Sequence, residues 1–475
     1  AMNLGALQIQ AIVDATKTPT PEQVRVVEAP RRPLLVVAGA GSGKTETMSM
    51  RVLWLLANHP DLSPSSILGL TFTRKAAGEL GERLRERIRL LSREMPQLRE
   101  RLDEDPVALT YNSFAERIVS EHGMRIGLDP DFSMLSEAGA IDLMTQIVES
   151  WPTDLDDTLT PAGVVGQVLH LAGEIAEHGY TVERAREVLE EFGRELEQVG
   201  RGNEKSRQAM DVNSRRIAFL GPITAYQQRK REMGVLDFSD QLVLATRIVR
   251  EAPAVRASLR EEFRAVLLDE FQDTSVIQMD LLSMLFSDHA VTAVGDPNQA
   301  IYGWRGASAS SLESFLERFQ TGVPDEGQTL TLSTAWRNDV SILDAANRVA
   351  ALREVPSFQV GKQQLKAQSP VLVPRGGAGS GAVDIAFTQY YDEALDAMVD
   401  FVQRVRSQPV KAGKQRSVAV LSRQRRDFPF IDDALREAGI PTEIVGLGGL
   451  LDQPAVQDVR AALELAHDVE ASPWL

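Results

Sequence analysis

Four runs of consecutive apolar residues punctuate the first two thirds of the chain: Pro33-Leu-Leu-Val-Val-Ala38, Ile67-Leu-Gly-Leu-Thr-Phe-Thr73, Ala265-Val-Leu-Leu-Asp269 and Ala290-Val-Thr-Ala-Val294. They are rich in β-branched residues and bounded by polar segments, a pattern that predicts strands buried on both faces of a parallel sheet. Helical patterns such as Ala76–Leu91 lie between them, and the alternation implies an α/β core. From about Glu116 to Met233 the strand signal pauses and Leu, Ile, Ala and Glu dominate, with Gly or Pro near the breaks. This predicts a helical insertion within the first α/β domain. A second α/β region is expected from near Leu330, with strands at Leu330–Thr334, Val383–Phe387 and Val418–Leu421 and a flexible loop at Gly376–Gly381. The predicted organisation is an α/β domain over 1–115 and 234–327, a helical insertion over 116–233, and part of a second α/β domain over 328–475.

Composition narrows the chemistry. The 475 residues contain no cysteine, so disulfides, thiolate metal sites and a catalytic cysteine are excluded within this sequence. No apolar run approaches the ~20 residues that span a bilayer. With no signal peptide visible, no membrane partner and a cytoplasmic location are expected. The 67 acidic against 51 basic residues give a net charge of −16, which counts against a broad basic footprint for nucleic acid. Any such contact must sit in a local groove, because charges are felt over about 10 Å at 0.1 M salt.

The first apolar run enters Ala38-Gly39-Ala40-Gly41-Ser42-Gly43-Lys44-Thr45, and a helical pattern follows. This is a phosphate-binding loop. Its glycines let backbone N–H groups converge on phosphate oxygens, and the helix N-terminus adds positive potential. Lys44 is placed to reach the β- and γ-phosphates and the Thr45 hydroxyl to ligate Mg²⁺. Asp269-Glu270 ends a later strand, the position of an acidic pair that serves a phosphate loop. Asp269 would hold Mg²⁺ and Glu270 would orient or deprotonate the attacking water. The glutamate favours hydrolysis over transfer to a substrate hydroxyl, leaving a small-molecule kinase as the weaker alternative.

Further blocks follow in order: Thr71-Phe-Thr-Arg-Lys-Ala-Ala77, Phe271-Gln-Asp-Thr274 and Val294-Gly-Asp-Pro-Asn-Gln-Ala-Ile-Tyr-Gly-Trp-Arg-Gly306. The set resembles superfamily 1 DNA helicases of the UvrD/PcrA/Rep group, which carry AGAGSGKT, TFTNKAA, DEFQDT and VGDxxQSIYGWRGA blocks. The resemblance spans about Thr20 to Leu465 and implies a RecA-like motor domain, an ATP and Mg²⁺ requirement, and 3′-to-5′ movement on single-stranded DNA or DNA with a single-stranded tail. Thr20-Pro-Glu-Gln23 matches the group's adenine-reading glutamine. By resemblance, Gln299 senses the γ-phosphate and links it to the DNA track, and Arg305 pairs with an acidic neighbour. Phe72, Tyr302 and Trp304 line that track with Thr71. Aromatic faces at strand ends can stack bases without reading sequence.

Leu332-Ser-Thr-Ala-Trp336-Arg337 stands where the group has a Tyr-Arg pair, so Trp336 would stack on adenine and Arg337 would reach the γ-phosphate across a cleft from the second domain. Thr110-Tyr-Asn112-Ser replaces the usual Thr-Phe-His-Ser and keeps a hydrogen-bonding role on DNA for Thr110 and Asn112. Glu46 stands where relatives often have Arg. Leu236-Asp-Phe-Ser-Asp-Gln241 matches a block that marks the return from the insertion. Arg83, Arg85, Arg87 and Arg89 alternate with Glu82, Glu86 and apolar residues, which favours a solvated helical face over a phosphate groove. Val418–Arg423 and Ile440–Gly446 are similar to the second motor domain before its large insertion. The group's threonine-rich DNA motif and second arginine motif do not follow. The chain therefore reads as lacking most of that domain, with weak hydrolysis expected, since an arginine of that kind is worth about 10³–10⁵-fold. The phrasing around Leu68–Glu79 is similar to AdnB-type motor subunits of break-resection machines, which implies a partner helicase or nuclease subunit. An ATP-gated DNA-binding scaffold in such a complex is the alternative to a motor.

Overall fold

The computed structural model describes residues 4–129, 131–156, 158–199, 204–303, 311–320, 322, 329–352, 369–408, 416–445, 456, 459 and 462. It divides into two compact units, Ala1–Gly381 and Ala382–Leu475.

The first unit is built on six parallel strands: β1 (Leu34–Ala38), β2 (Ile67–Thr71), β3 (Val107–Thr110), β4 (Ala265–Leu268), β5 (Val291–Gly295) and β6 (Thr329–Leu332). Their spatial order is β3-β2-β4-β5-β1-β6, with Val36 opposite Val294 on one side and Leu330 on the other. The uninterrupted apolar runs follow from burial on both faces. Leu35, Val37, Leu68, Leu70, Val266 and Leu268 enter one core. Their neighbours Leu34, Val36, Ile67, Ala265 and Leu267 enter the other. Helices Ala6–Val13, Lys44–Asn58 and Arg74–Glu94 supply the second core, and Tyr111–His122, Phe238–Glu251 and Val276–Phe286 the first. The expected α/β class with a parallel sheet is what forms.

Two features of this unit differ from the sequence reading. The strand expected to open a second α/β region pairs instead with β1 and becomes the edge of the first sheet. Helix Tyr111–His122 buries Phe114, Ala115, Ile118 and Val119 against that sheet, so its later residues do not belong to the insertion. The insertion itself is a separate core of helices Glu137–Glu149, Pro161–Glu177, Val182–Val199 and Glu204–Met233. A two-residue parallel pair, Ser133–Met134 with Val235–Leu236, closes its base.

In the second unit, helices Tyr391–Arg406 and Phe428–Glu437 pack through Val402, Leu435 and Ile440. The runs Val383–Phe387 and Val418–Leu421 form no ladder among the described residues; Ile385, Phe387 and Leu421 are almost wholly exposed. A strand needs a hydrogen-bonded neighbour, and these runs have none. A groove of 580 Å³ in this unit, lined by Val418–Ser422 and Ile440–Val445 among others, holds none of the residues expected to bind ATP or DNA.

Candidate functional site

All six strands deliver a motif at their carboxyl ends: the glycine loop after β1, Phe72 after β2, Asn112 after β3, Asp269-Glu270 after β4, Asp296–Tyr302 after β5 and Trp336-Arg337 after β6. Ligands of open α/β sheets gather at this rim. Gly41 and Gly43 have φ of +72° and +81°, a conformation that side chains resist. The loop is tied down from β6. The Gly39 N–H donates to the Leu332 carbonyl at 3.0 Å, and the Trp336 N–H donates to the Gly41 carbonyl at 2.8 Å.

The adenine-side residues converge on Gly43. A β-carbon there would lie 3.1 Å from Gln23 Nε2 and 3.5 Å from Trp336 Cδ1. Gln23 is fixed by its own helix cap. Its Oε1 accepts from the Thr20 N–H at 3.0 Å, and its Nε2 donates to Thr47 Oγ1 at 3.1 Å. Glu22, its neighbour, accepts from the Ser333 N–H and hydroxyl at 2.7 and 2.8 Å, joining this helix to the end of β6. Arg337 is exposed beside Gly41. It falls within the first compact unit, just after a short strand, Thr334–Ala335, that pairs with Val373–Pro374.

Lys44 Nζ lies 3.1 Å from Glu270 Oε2. Glu270 has φ +49°, and its N–H donates to Asp269 Oδ1 at 3.0 Å. Burial, then the Glu270 charge, pushes the Asp269 carboxyl from its ordinary 3.8 to about 6, against the opposing pull of Lys44 and, more weakly, Arg83. The Asp269 carboxylate and the Thr45 hydroxyl at the start of the glycine-loop helix are hard oxygen donors by type. They suit a magnesium ion that keeps several waters. Among the described residues no group of three or more His, Asp or Glu could hold a metal alone.

The raised pKa has a stability consequence. Asp269 is protonated in the folded chain up to about pH 6 but only to 3.8 when unfolded, so its cost appears as pH rises between those values and is complete above the higher one. In the nucleotide-free chain at pH 7.5, Asp269→Asn is expected to raise stability by on the order of 2 to 3 kcal/mol, with little effect at pH 4. Urea unfolding at the two pH values measures it; equal effects at both would contradict the assignment.

The strings of hydrogen bonds run on from Glu270. Gln272 Nε2 donates to Glu270 Oε2 at 2.7 Å, and Gln272 Oε1 accepts from the Asp296 N–H at 3.0 Å. Asp296 Oδ2 accepts from Gln299 Nε2 at 2.7 Å. Three residues later Tyr302 stacks on Phe72, with centroids 5.0 Å apart and planes 25° apart. On the other side, the buried Tyr111 hydroxyl donates to the Asp269 carbonyl at 3.0 Å. Tyr111 also lines a cleft of 120 Å³ with Phe72, Thr110, Asn112, Glu177, Asp273, Ser275 and Gln278. Asn112 Oδ1 accepts from Gln278 Nε2 at 3.3 Å, and Thr110 caps its helix by accepting from the Ser113 N–H. Burial and then the Glu270 charge raise Asp273 to about 6. Thr71, by contrast, is buried at the end of β2 and does not line the cleft. Trp304 and Arg305 lie outside the described residues.

Sequence reasoning assigned no role to Gln272, Asp273, Asp296, Glu177 or Gln278. The first three sit inside the blocks it quoted; Glu177 comes from the insertion, and only the fold brings it to the cleft. Nor is Arg87 on a solvated face. It is buried and paired with Glu46 at 2.5 Å, joining the glycine-loop helix to the helix that follows Phe72.

Residues 19–320 match the family described as UvrD/REP helicase N-terminal domain. DNA helicase II of Escherichia coli is 28% identical over 445 residues, covering 94% of this chain and 54% of that protein. The ATP-dependent DNA helicases PcrA of Staphylococcus epidermidis and Staphylococcus aureus are 26% and 25% identical, each over 94% of this chain and 53% of their own length. The chain thus spans about half the length of the curated relatives it matches.

Proposed function

The chain belongs to the UvrD/REP helicase family through its N-terminal domain, and from that premise we propose that it is the ATP-hydrolysing motor portion of a DNA helicase that tracks 3′ to 5′ along single-stranded DNA. Lys44 binds the β- and γ-phosphates, Thr45 and Asp269 hold Mg²⁺, Gln23 and Trp336 bracket adenine, and Arg337 stabilises charge on the γ-phosphoryl group. Magnesium, when bound, neutralises that charge; Glu270 aligns the water and takes its proton. Phe72 and Tyr302, with Trp304, form the stacking track beside Thr110 and Asn112. The cleft's carboxyls disfavour phosphate there, so bases and sugars face it.

The observation that carries this reading is the unbroken path from Lys44 through Glu270, Gln272 and Asp296 to Gln299, on the loop whose Tyr302 stacks on Phe72. On this reading it links the nucleotide side of the sheet rim to the Phe72–Tyr302 rings. A role in repair or break processing, kinship with AdnB-type subunits and a second subunit belong to the same reading and are supported by resemblance alone.

Nucleotide and DNA should then influence one another by about 5- to 150-fold in affinity. Titrating a single-stranded oligonucleotide with and without a non-hydrolysable ATP analogue measures this, and Lys44→Ala should abolish the difference. Identical DNA binding in both conditions would leave a plain nucleotide-binding protein, and hydrolysis indifferent to DNA would favour a kinase-like site.

A further inference from the structure

Asp296 is almost completely buried, and no cation among the described residues pairs with it. Its charge is balanced by three donors. Oδ1 accepts from the Asn298 N–H at 2.9 Å and from the Ser369 hydroxyl at 2.7 Å. Oδ2 accepts from Gln299 at 2.7 Å. Asn298 and Gln299 are local, but Ser369 arrives from 73 residues away. It belongs to a strap, Ser369–Arg375, that meets the glycine loop at Gly39. Leu372 in the strap fills the space where a β-carbon on Gly39 would stand. Asn347 pins Leu372 with two bonds of 2.9 Å, and Arg375 grips Asp339 at 3.0 Å, two residues beyond Arg337.

We propose that Ser369 is a positioning residue for Gln299, acting through the Asp296 carboxylate, so that the strap against the glycine loop sets where the γ-phosphate sensor rests. The proposal rests on the motor reading and adds a part to it. A buried carboxylate oriented by donors on both oxygens cannot turn without breaking one of them. Removing the Ser369 hydroxyl leaves Oδ1 held by the Asn298 N–H alone, which weakens the hold on the carboxylate and loosens Gln299 at its station. Gln299 shares a loop with Tyr302, so loosening it uncouples the nucleotide from the ring platform. Lys44, Thr45 and the glycine loop are left as they are.

The test compares wild type, Ser369→Ala and Ser369→Thr in the full-length natural chain. The readout is the ratio of single-stranded oligonucleotide affinities with and without a non-hydrolysable ATP analogue. Ser369→Ala is expected to keep the analogue's own affinity within about twofold and to shrink that ratio at least fivefold, while Ser369→Thr, which retains the hydroxyl, restores it. Thermal unfolding should be similar for all three, which separates positioning from misfolding. A wild-type ratio near one overturns the motor reading and this proposal with it. A normal wild-type ratio that Ser369→Ala leaves unchanged, or that falls equally with Ser369→Thr, overturns this proposal alone.

Discussion

Replacing Glu270 by Gln is expected to slow ATP hydrolysis by about 10²–10⁴-fold while leaving nucleotide binding intact. The substitution preserves shape. A glutamine oxygen can still accept from Gln272, which now donates at 2.7 Å, and from Lys44 at 3.1 Å. What disappears is the basicity needed to take a proton from water. The same change removes one of the two causes that raise Asp269, so that carboxylate stays ionised to lower pH. Lys44 is also freed from an ion pair that it must otherwise relax to meet a phosphate. Binding is therefore expected to hold or tighten slightly as turnover collapses. Single-turnover hydrolysis beside equilibrium binding of a fluorescent analogue separates the two; hydrolysis retained within tenfold would remove Glu270 from the role of base.

Arg51→Met is expected to cost about 3–5 kcal/mol of folding stability. Arg51 is wholly buried, and its guanidinium donates to Thr292 Oγ1 at 2.9 Å and to the carbonyls of Val26, Val27, Ala29 and Pro30 at 2.8 to 3.2 Å. Burial lowers its pKa to about 10, so it remains charged at neutral pH. The acceptors include the carboxyl-terminal end of helix Pro21–Val27, where carbonyl dipoles favour a cation. Methionine fills the volume but takes a donor from four carbonyls and a hydroxyl; the Val26 and Pro30 carbonyls keep a backbone N–H, from Ala29 and Arg32, while those of Val27 and Ala29 lose the guanidinium. Because that helix carries Gln23 and Glu22, weaker adenine binding should accompany the lowered urea midpoint. A loss below about 1 kcal/mol would show that water or local repacking replaces the guanidinium.

The glycine loop and the acidic pair were legible because their chemistry is local: a few consecutive residues specify turn, charge and hydroxyl. The buried strands were legible because two-sided burial writes itself as an unbroken apolar run. Thr329–Leu332 was misassigned for the converse reason. It is an edge strand with only Leu332 fully buried, and nothing in four residues says which sheet will take it. Trp336 and Arg337 follow it by way of a second short strand, Thr334–Ala335, which pairs with Val373–Pro374. Val383–Phe387 shows the limit from the other side, since apolar, β-branched composition does not make a strand without a partner. Asp296 and Ser369 meet across 73 residues, a relation no local pattern can carry. Arg87 was hidden by a helix face that looks polar in sequence but turns one arginine inward to Glu46.

The contact between Phe72 and Tyr302 bears on how a strand would travel. Stacked layers in nucleic acid lie about 3.4 Å apart, so a base between the two rings requires them to part to about 6.8 Å. At 5.0 Å they are too close to admit one. A nucleotide must either ride on the outward ring or prise open a contact worth about 0.5–1.5 kcal/mol. Grip and drag are then one quantity: whatever strengthens that ring-to-ring attachment also raises the friction of each step.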